Sequence, residues 1–221
     1  MSTSAKMALL EEYARVARVL SAPARLMILE HLAQQERGVE ALADKTGLSV
    51  ANCSHHLQHL RRASLVTSRR DGKSVIYRLT DTKTLALMDL LRVVAERNLA
   101  QVDHILRGLW GGEDPPEPVS RAELAERLAA GTVAILDIRP ADEYAAAHIP
   151  NALNVTLAEL DRILPTLAPE VEIVAYCRSP YCIYAHQAAA ALRRQGFRAR
   201  ILNGGLPEWK ADGRRVGRVH S

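Results

Sequence analysis

Along the first half of the chain, apolar residues recur mostly at helical spacing, with one pair of strand-like runs. Along the second half, short near-continuous apolar runs alternate with helical stretches. In the first half, Val39 to Lys45 reads as a short helix ended by Thr46-Gly47. Ser49 stands where an N-cap would, and a second helix runs to about Ala63. In this second helix Val50, Cys53, Leu57 and Leu60 recur at spacings of three and four, which puts them on one apolar face. Two runs follow, Val66-Thr67-Ser68-Arg69-Arg70 and Lys73-Ser74-Val75-Ile76-Tyr77-Arg78-Leu79, separated by Asp71-Gly72. That dipeptide predicts a hairpin with a type I′ turn, whose two central residues both need positive φ. A long helix is expected from about Thr82 to Leu106, apolar at Leu87, Leu91, Val94, Val102 and Ile105 and interrupted by Asn98.

Gly111-Gly112-Glu113-Asp114-Pro115-Pro116-Glu117-Pro118 has no apolar face to bury, and its prolines block helix and sheet pairing. It predicts a linker over 111–118, between a domain at 1–110 and another at 119–221. Beyond it come Val133-Ala134-Ile135-Leu136, then Val171 to Tyr176, then a helix over 183–195 closed by Gly196, then Ala199 to Leu202. Strand, helix, strand in that order implies a parallel α/β unit.

A length of 221 residues already favours two domains over one. Apolar residues make up 48% and aromatics only 4%, so aliphatic packing must dominate both cores. No run reaches the roughly 18 apolar residues of a membrane span. Lys6, Glu11, Glu12, Arg15 and Arg18 break the N-terminal apolar pattern, which does not suit a secretion signal. A soluble, cytoplasmic protein with no membrane partner is expected. Charge separates the halves: residues 1–110 carry 16 Lys/Arg against 11 Asp/Glu, whereas residues 111–221 carry 13 against 14. The basic excess lies wholly in the first half and points there to nucleic acid.

The helical pair fits a helix-turn-helix, and its second helix presents Ser49, Ala51, Asn52, Ser54, His55, Gln58, His59 and Arg62 away from the apolar face. Small and hydrogen-bonding residues near the helix start suit base edges, and a later arginine suits a phosphate. Arg69, Arg70 and Lys73 cluster at the hairpin tip, as in a wing that grips DNA phosphates. Cys53 falls on the apolar face and is expected as a small buried filler. His55 and His59 have zinc-like i, i+4 spacing but no third ligand nearby, so DNA contact is the preferred role; no metal site and no cofactor are expected.

From about Ala5 to Leu109 the chain resembles the ArsR/SmtB family of winged-helix repressors. The likeness is most specific over Leu48 to Leu57, through Leu60 to Val66, in the Asp71-Gly72 wing, and upstream at Leu20 to Leu26. It implies a homodimer, built from the N-terminal helix and the long helix, on a double-stranded DNA operator. The paired cysteines of arsenic-sensing members are absent from Val39-Glu40-Ala41-Leu42-Ala43. Of the zinc-sensing ligands on the last helix only the adjacent Asp103-His104 are found, so direct metal sensing is not expected.

In the second half Tyr176-Cys177-Arg178-Ser179-Pro180-Tyr181-Cys182 lies between a strand and a helix. Such a loop turns backbone N–H groups inward, and the helix start adds partial positive charge. A thiol at its base is favoured as thiolate, with Arg178 adding to the effect, and the loop from Cys177 to Cys182 is suited to an anion. Over Val119 to Val216 the chain resembles the rhodanese family. The likeness rests on this loop, on Leu136 to Tyr144 with His148-Ile149-Pro150-Asn151-Ala152, and on Leu202 to Trp209. It implies that Cys177 is a nucleophile that accepts sulfane sulfur as a persulfide, and that Asp137, Arg139, Glu143 and His148 hold the scaffold. Related phosphatases need an arginine where Ile183 stands. Cys182 is a departure from the rhodanese pattern. Either it packs at the helix start, or it attacks a Cys177 persulfide, which needs the two Cα atoms within about 7 Å.

The expected architecture is therefore a mainly α winged helix-turn-helix with a β-hairpin wing, then an α/β rhodanese-like parallel sheet flanked by helices. The expected function is a transcriptional regulator, a repressor by resemblance, that senses a sulfur donor or an oxidant through Cys177. Two alternatives stand beside it. One is a working thiosulfate or persulfide sulfurtransferase with a DNA reader attached. The other is a repressor that answers a small anion or arsenite without sulfur transfer.

Overall fold

The computed structural model describes residues 3–112, 114–179 and 182–219. They fall into two units, Met1–Met88 and Asp89–Ser221. The division runs inside a helix, so the segment at 111–118 belongs to the second unit together with the helix before it.

The first unit runs α1 (Thr3–Leu20), α2 (Pro23–Gln34), β1 (Arg37–Gly38), α3 (Val39–Thr46), α4 (Val50–Arg62), β2 (Val66–Asp71), β3 (Ser74–Leu79) and the start of α5 (Lys83–Asn98). A three-stranded antiparallel sheet has the order β1-β3-β2. Ser49 caps α4 as expected, its hydroxyl accepting from the Asn52 N–H at 3.2 Å. Cys53, Leu57 and Leu60 are fully buried and join Ile28, Leu29 and Leu42 in the core of this unit. Val50 departs from the expected apolar face: as the first residue of α4 it is 49% exposed, while Cys53 one turn on is fully buried.

Two further expectations are corrected. The wing turns one residue later than predicted, since Asp71 pairs with Ser74 and leaves Gly72 and Lys73 as the loop. Of these two, Gly72 alone has positive φ, at +59°, the pattern of a turn with glycine at its first central position rather than of type I′. The long helix from Thr82 to Leu106 is two helices, α5 and α6 (Ala100–Leu109), separated at Leu99, whose φ −111° and ψ 102° are extended. Asn98 ends α5 by donating from its side chain to the Val94 carbonyl at 2.7 Å, a local bond that competes with helix continuation.

The second unit continues from α5 through α6 to α7 (Arg121–Ala129), β4 (Val133–Asp137), α8 (Ala141–Ala146), β5 (Leu153–Asn154), α9 (Leu160–Ile163), β6 (Glu172–Tyr176), α10 (Ile183–Arg194), β7 (Ala199–Ile201) and α11 (Leu206–Ala211). Its sheet is parallel with order β5-β4-β6-β7, so β6 is central and hydrogen-bonded on both sides. The apolar runs read from the sequence are these strands. Ile173 and Ala175 face one core with Leu136, Ala188, Ala189 and Leu192, while Val174 and Tyr176 face another with Ile135, Ile149 and Trp209. The end of β6 therefore delivers Cys177 into a fixed frame. No helix among the described residues is long and apolar enough to cross a membrane.

Candidate functional site

Cys177 follows the last residue of β6 and is 1% exposed. Cys182 is the N-cap of α10, also buried, and the two are joined as a disulfide with Cα atoms 6.0 Å apart. The loop is closed by the Cys182 N–H donating to the Ser179 carbonyl at 3.1 Å, and Ser179 itself is buried. Pro180 and Tyr181, expected in the same anion-binding loop, lie outside the described residues.

Arg178 is aimed away from open solvent. Its Nε donates to both Glu143 oxygens, at 3.1 and 2.9 Å, and the Glu143 side chain is fully buried. This pair pins the residue after Cys177 to α8, so the guanidinium that was expected to favour a thiolate also anchors the loop. Gly205 holds the opposite side. A Cβ placed there would lie 2.5 Å from the Arg178 carbonyl oxygen and 2.7 Å from the Ser179 nitrogen, so only glycine lets the chain before α11 approach the loop backbone.

Beneath the loop, the Asp137 carboxylate is buried with Arg139. Arg139 donates to it from Nε at 2.9 Å and from Nη2 at 2.5 Å. Tyr176 adds its hydroxyl to the same carboxylate at 2.5 Å, and that hydroxyl accepts from the Ile149 N–H at 3.0 Å. Burial, and then the Asp137 charge, hold the Tyr176 phenol well above its ordinary pKa, so it stays a neutral donor. His148 is stacked on Tyr144, and its Nδ1 lies 2.9 Å from the Tyr144 carbonyl. These contacts tie β4, β6 and the chain after α8 into one polar frame under the cysteine.

Trp110 and His186 carried no signal in the sequence as site residues. The Trp110 indole Nε1–H donates to His186 Nδ1 at 3.1 Å, and both side chains are buried. Trp110 shares a core cluster with Cys177 and Cys182. The one available signal was compositional, since Trp110 is one of only two tryptophans and stands directly before Gly111-Gly112.

On the first unit, α4 and its N-cap present Ser49, Ala51, Asn52, His55 and Gln58 to solvent, with Arg62 exposed at the helix end and Ser54 and His59 half-buried. His55 and His59 have their Nε2 atoms 3.2 Å apart, so one donates to the other. Burial, then the charges of Arg25 and the flanking histidines, lower the pKa of His56. His59 is lowered too, first by burial and then by His55. No group of three or more His, Cys, Asp or Glu side chains suited to a metal occurs among the described residues. Cys53 is inert by position, burial raising its thiol pKa. On the wing Arg69 is held by Glu36 at 3.0 Å and by Asp71 at 3.1 Å, while Arg70 and Lys73 are exposed.

The family model for a helix-turn-helix domain matches residues 20–69, and that for a rhodanese-like domain matches residues 120–212. The HTH-type transcriptional regulator Rv0324 of Mycobacterium tuberculosis is 41% identical over 208 residues, covering 94% of this chain and 91% of that protein. The chain belongs to the ArsR-type helix-turn-helix regulators that carry a rhodanese-like domain. A probable mercury resistance operon repressor of Streptomyces lividans is 34% identical over 100 residues, 45% of this regulator and 80% of its own length. Among solved structures, the homodimeric winged helix-turn-helix DNA-binding domain of Mb0332 from Mycobacterium bovis is 40% identical. It covers 45% of this chain and 92% of its own, with a TM-score of 0.41.

Proposed function

We propose that this regulator is a repressor that senses sulfane sulfur through Cys177, with Cys182 as the resolving thiol. The observation that carries the reading is the placement of the two sulfurs within bonding reach, on a central strand and a helix start, at a Cα separation of 6.0 Å. The Cys177 thiolate takes sulfane sulfur from an inorganic polysulfide, breaking one S–S bond of the donor, whose shortened chain leaves as the anion. Cys182 then loses its proton and attacks Cys177 Sγ, expelling the outer sulfur as hydrosulfide. Two thiols are oxidised to a disulfide and one sulfane sulfur is reduced to sulfide. A resolving thiol this close competes with transfer of the persulfide to cyanide or to another thiol, which favours a sensor over a turning-over sulfurtransferase. Arsenite capture is disfavoured because the one other cysteine, Cys53, is buried in the core of the first unit.

The DNA contacts fall to α4 and the wing: Ser49, Ala51, Asn52, Ser54, His55, Gln58, His59 and Arg62 toward the bases and adjoining phosphates, with Arg70 and Lys73 toward phosphate. Arg69, already shared between two carboxylates, contributes less to the wing's grip. A homodimer is supported by uncovered apolar residues: Met7, Leu10 and Tyr13 on α1, Leu87, Leu91 and Val94 on α5, and Ile105 on α6. The Mycobacterium bovis relative is described as homodimeric.

Mass spectrometry after treatment with inorganic polysulfide tests the chemistry. Reduced protein with both cysteines is expected to lose two hydrogens as the Cys177–Cys182 disulfide forms, and Cys182→Ser to stop at one added sulfur on Cys177. Cys177→Ser is expected to do neither. Sustained thiocyanate production from thiosulfate and cyanide by intact protein, with no disulfide accumulating, would instead establish the sulfurtransferase.

A further inference from the structure

We infer that α10 carries the oxidation state of the cysteine pair to α6 through the buried hydrogen bond between His186 and Trp110, which makes His186 a positioning residue of the switch. This rests on the reading that Cys177 and Cys182 cycle between dithiol and disulfide.

Cys182 is the N-cap of α10 and His186 lies four residues on, so both project from one side of the helix's first turns. His186 accepts at Nδ1 from Trp110, the C-cap residue of α6. An indole N–H only donates, so His186 Nδ1 carries no proton and the ring is the Nε2–H tautomer. Both side chains are buried, so water does not readily replace the bond if it opens.

Reduction by an external dithiol breaks the S–S bond. Two electrons and two protons pass to the cysteines, and the reductant becomes a disulfide. The two sulfurs must then separate to nonbonded distance, about 3.5–4 Å. Cys177 has little freedom to yield. It follows β6, which pairs with β4 through Asp137 and Tyr176 and with β7 through Ala175 and Ile201, and Arg178 is bound to Glu143. Gly205 packs against the loop backbone from the other side. The displacement is therefore taken by the start of α10. The buried face of that helix is largely alanine, Ala185, Ala188, Ala189 and Ala190, which offers no flexible side chain to absorb a shift. His186 moves with the helix, and Trp110, packed in the same cluster as both cysteines, answers at the end of α6. α6 follows α5 across the single extended residue Leu99, and the uncovered apolar residues of α5 belong to the proposed dimer seam.

The test uses the full chain with Trp209→Phe, so that Trp110 is the single tryptophan. Its emission is read on dithiothreitol reduction and polysulfide oxidation while mass spectrometry follows the cysteines. The emission maximum is expected to shift between the two states. His186→Leu, which removes the acceptor, is expected to interconvert dithiol and disulfide normally with the shift abolished. His186→Asn, which keeps an acceptor near the Nδ1 position, is expected to retain it. Circular dichroism shows that each variant is folded. An equal shift in His186→Leu, or no shift in the protein that keeps His186 while the cysteines demonstrably interconvert, overturns the inference alone. Cysteines that polysulfide never joins overturn the sensing reading and this inference with it.

Discussion

Arg139→Met is expected to destabilise the second unit by about 3–5 kcal/mol, the usual cost of removing one partner from a buried ion pair. Asp137 and Arg139 are both fully buried, and Arg139 supplies two bonds to the carboxylate, at 2.9 and 2.5 Å. Without the guanidinium, the fully buried Asp137 carboxylate is left, among the described residues, with the Tyr176 hydroxyl and the Arg139 N–H, both neutral donors. Arg139 also satisfies the Ala147 carbonyl at 2.8 Å, which the variant leaves unpaired. Denaturant unfolding of the full chain followed by far-ultraviolet circular dichroism measures the loss. The double variant Asp137→Leu/Arg139→Met is expected to recover much of it, because no charge is then stranded. A shift under about 1 kcal/mol in the single variant, the size of an exposed pair, would mean that this pair is not what holds the frame.

The second large effect falls on the cysteine loop without touching either cysteine. Gly205→Ala places a methyl 2.5 Å from the Arg178 carbonyl oxygen and 2.6 Å from its carbon, and neither backbone atom can rotate aside. Gly205 has φ −131° and ψ −162°, so the cost is one of space rather than of backbone conformation. Overpacking of this kind costs about 1–3 kcal/mol, and relief requires the loop to move away from α11. Since a misplacement near 1 Å can slow a positioned reaction by up to about a hundredfold, disulfide formation with polysulfide is expected to slow at least roughly tenfold. Quenched-flow alkylation followed by mass spectrometry measures that rate. An unchanged rate would mean that the loop's geometry does not set Cys177 reactivity.

How much of this was legible in the sequence depended on how local the cause was. The Ser49 cap, the buried Cys53, the wing and the strand that ends just before Cys177 all follow from residues within a few positions of each other. Errors came from short-range competition that spacing alone does not weigh. Asp71-Gly72 looked like the turn, but strand pairing at Asp71 and Ser74 moved the loop on by one residue. Asn98 looked like a flaw in one helix, but its bond to Val94 ends that helix. Val50 kept the apolar spacing yet stays half-exposed at the start of the helix. Long-range partners were out of reach altogether. Glu143 on Arg178 is 35 residues away and His186 on Trp110 is 76, and neither pairing leaves a mark in periodicity. The 6.0 Å Cα separation that β6 and α10 set between Cys177 and Cys182 was likewise out of reach of periodicity.

The central claim is that sulfur chemistry at Cys177 changes DNA binding, and the affinity of the purified full chain for the DNA upstream of its own gene tests it most directly. The titration is run at fixed salt, reduced and then polysulfide-treated, with the cysteines followed by mass spectrometry in the same samples. Formation of the Cys177–Cys182 bond is expected to weaken binding by roughly 5–150-fold, the range of a coupling of about 1–3 kcal/mol, and Cys177→Ser is expected to bind alike in both states. Full modification of Cys177 with the affinity unchanged would contradict the account and leave the second domain a sulfurtransferase that DNA binding does not consult.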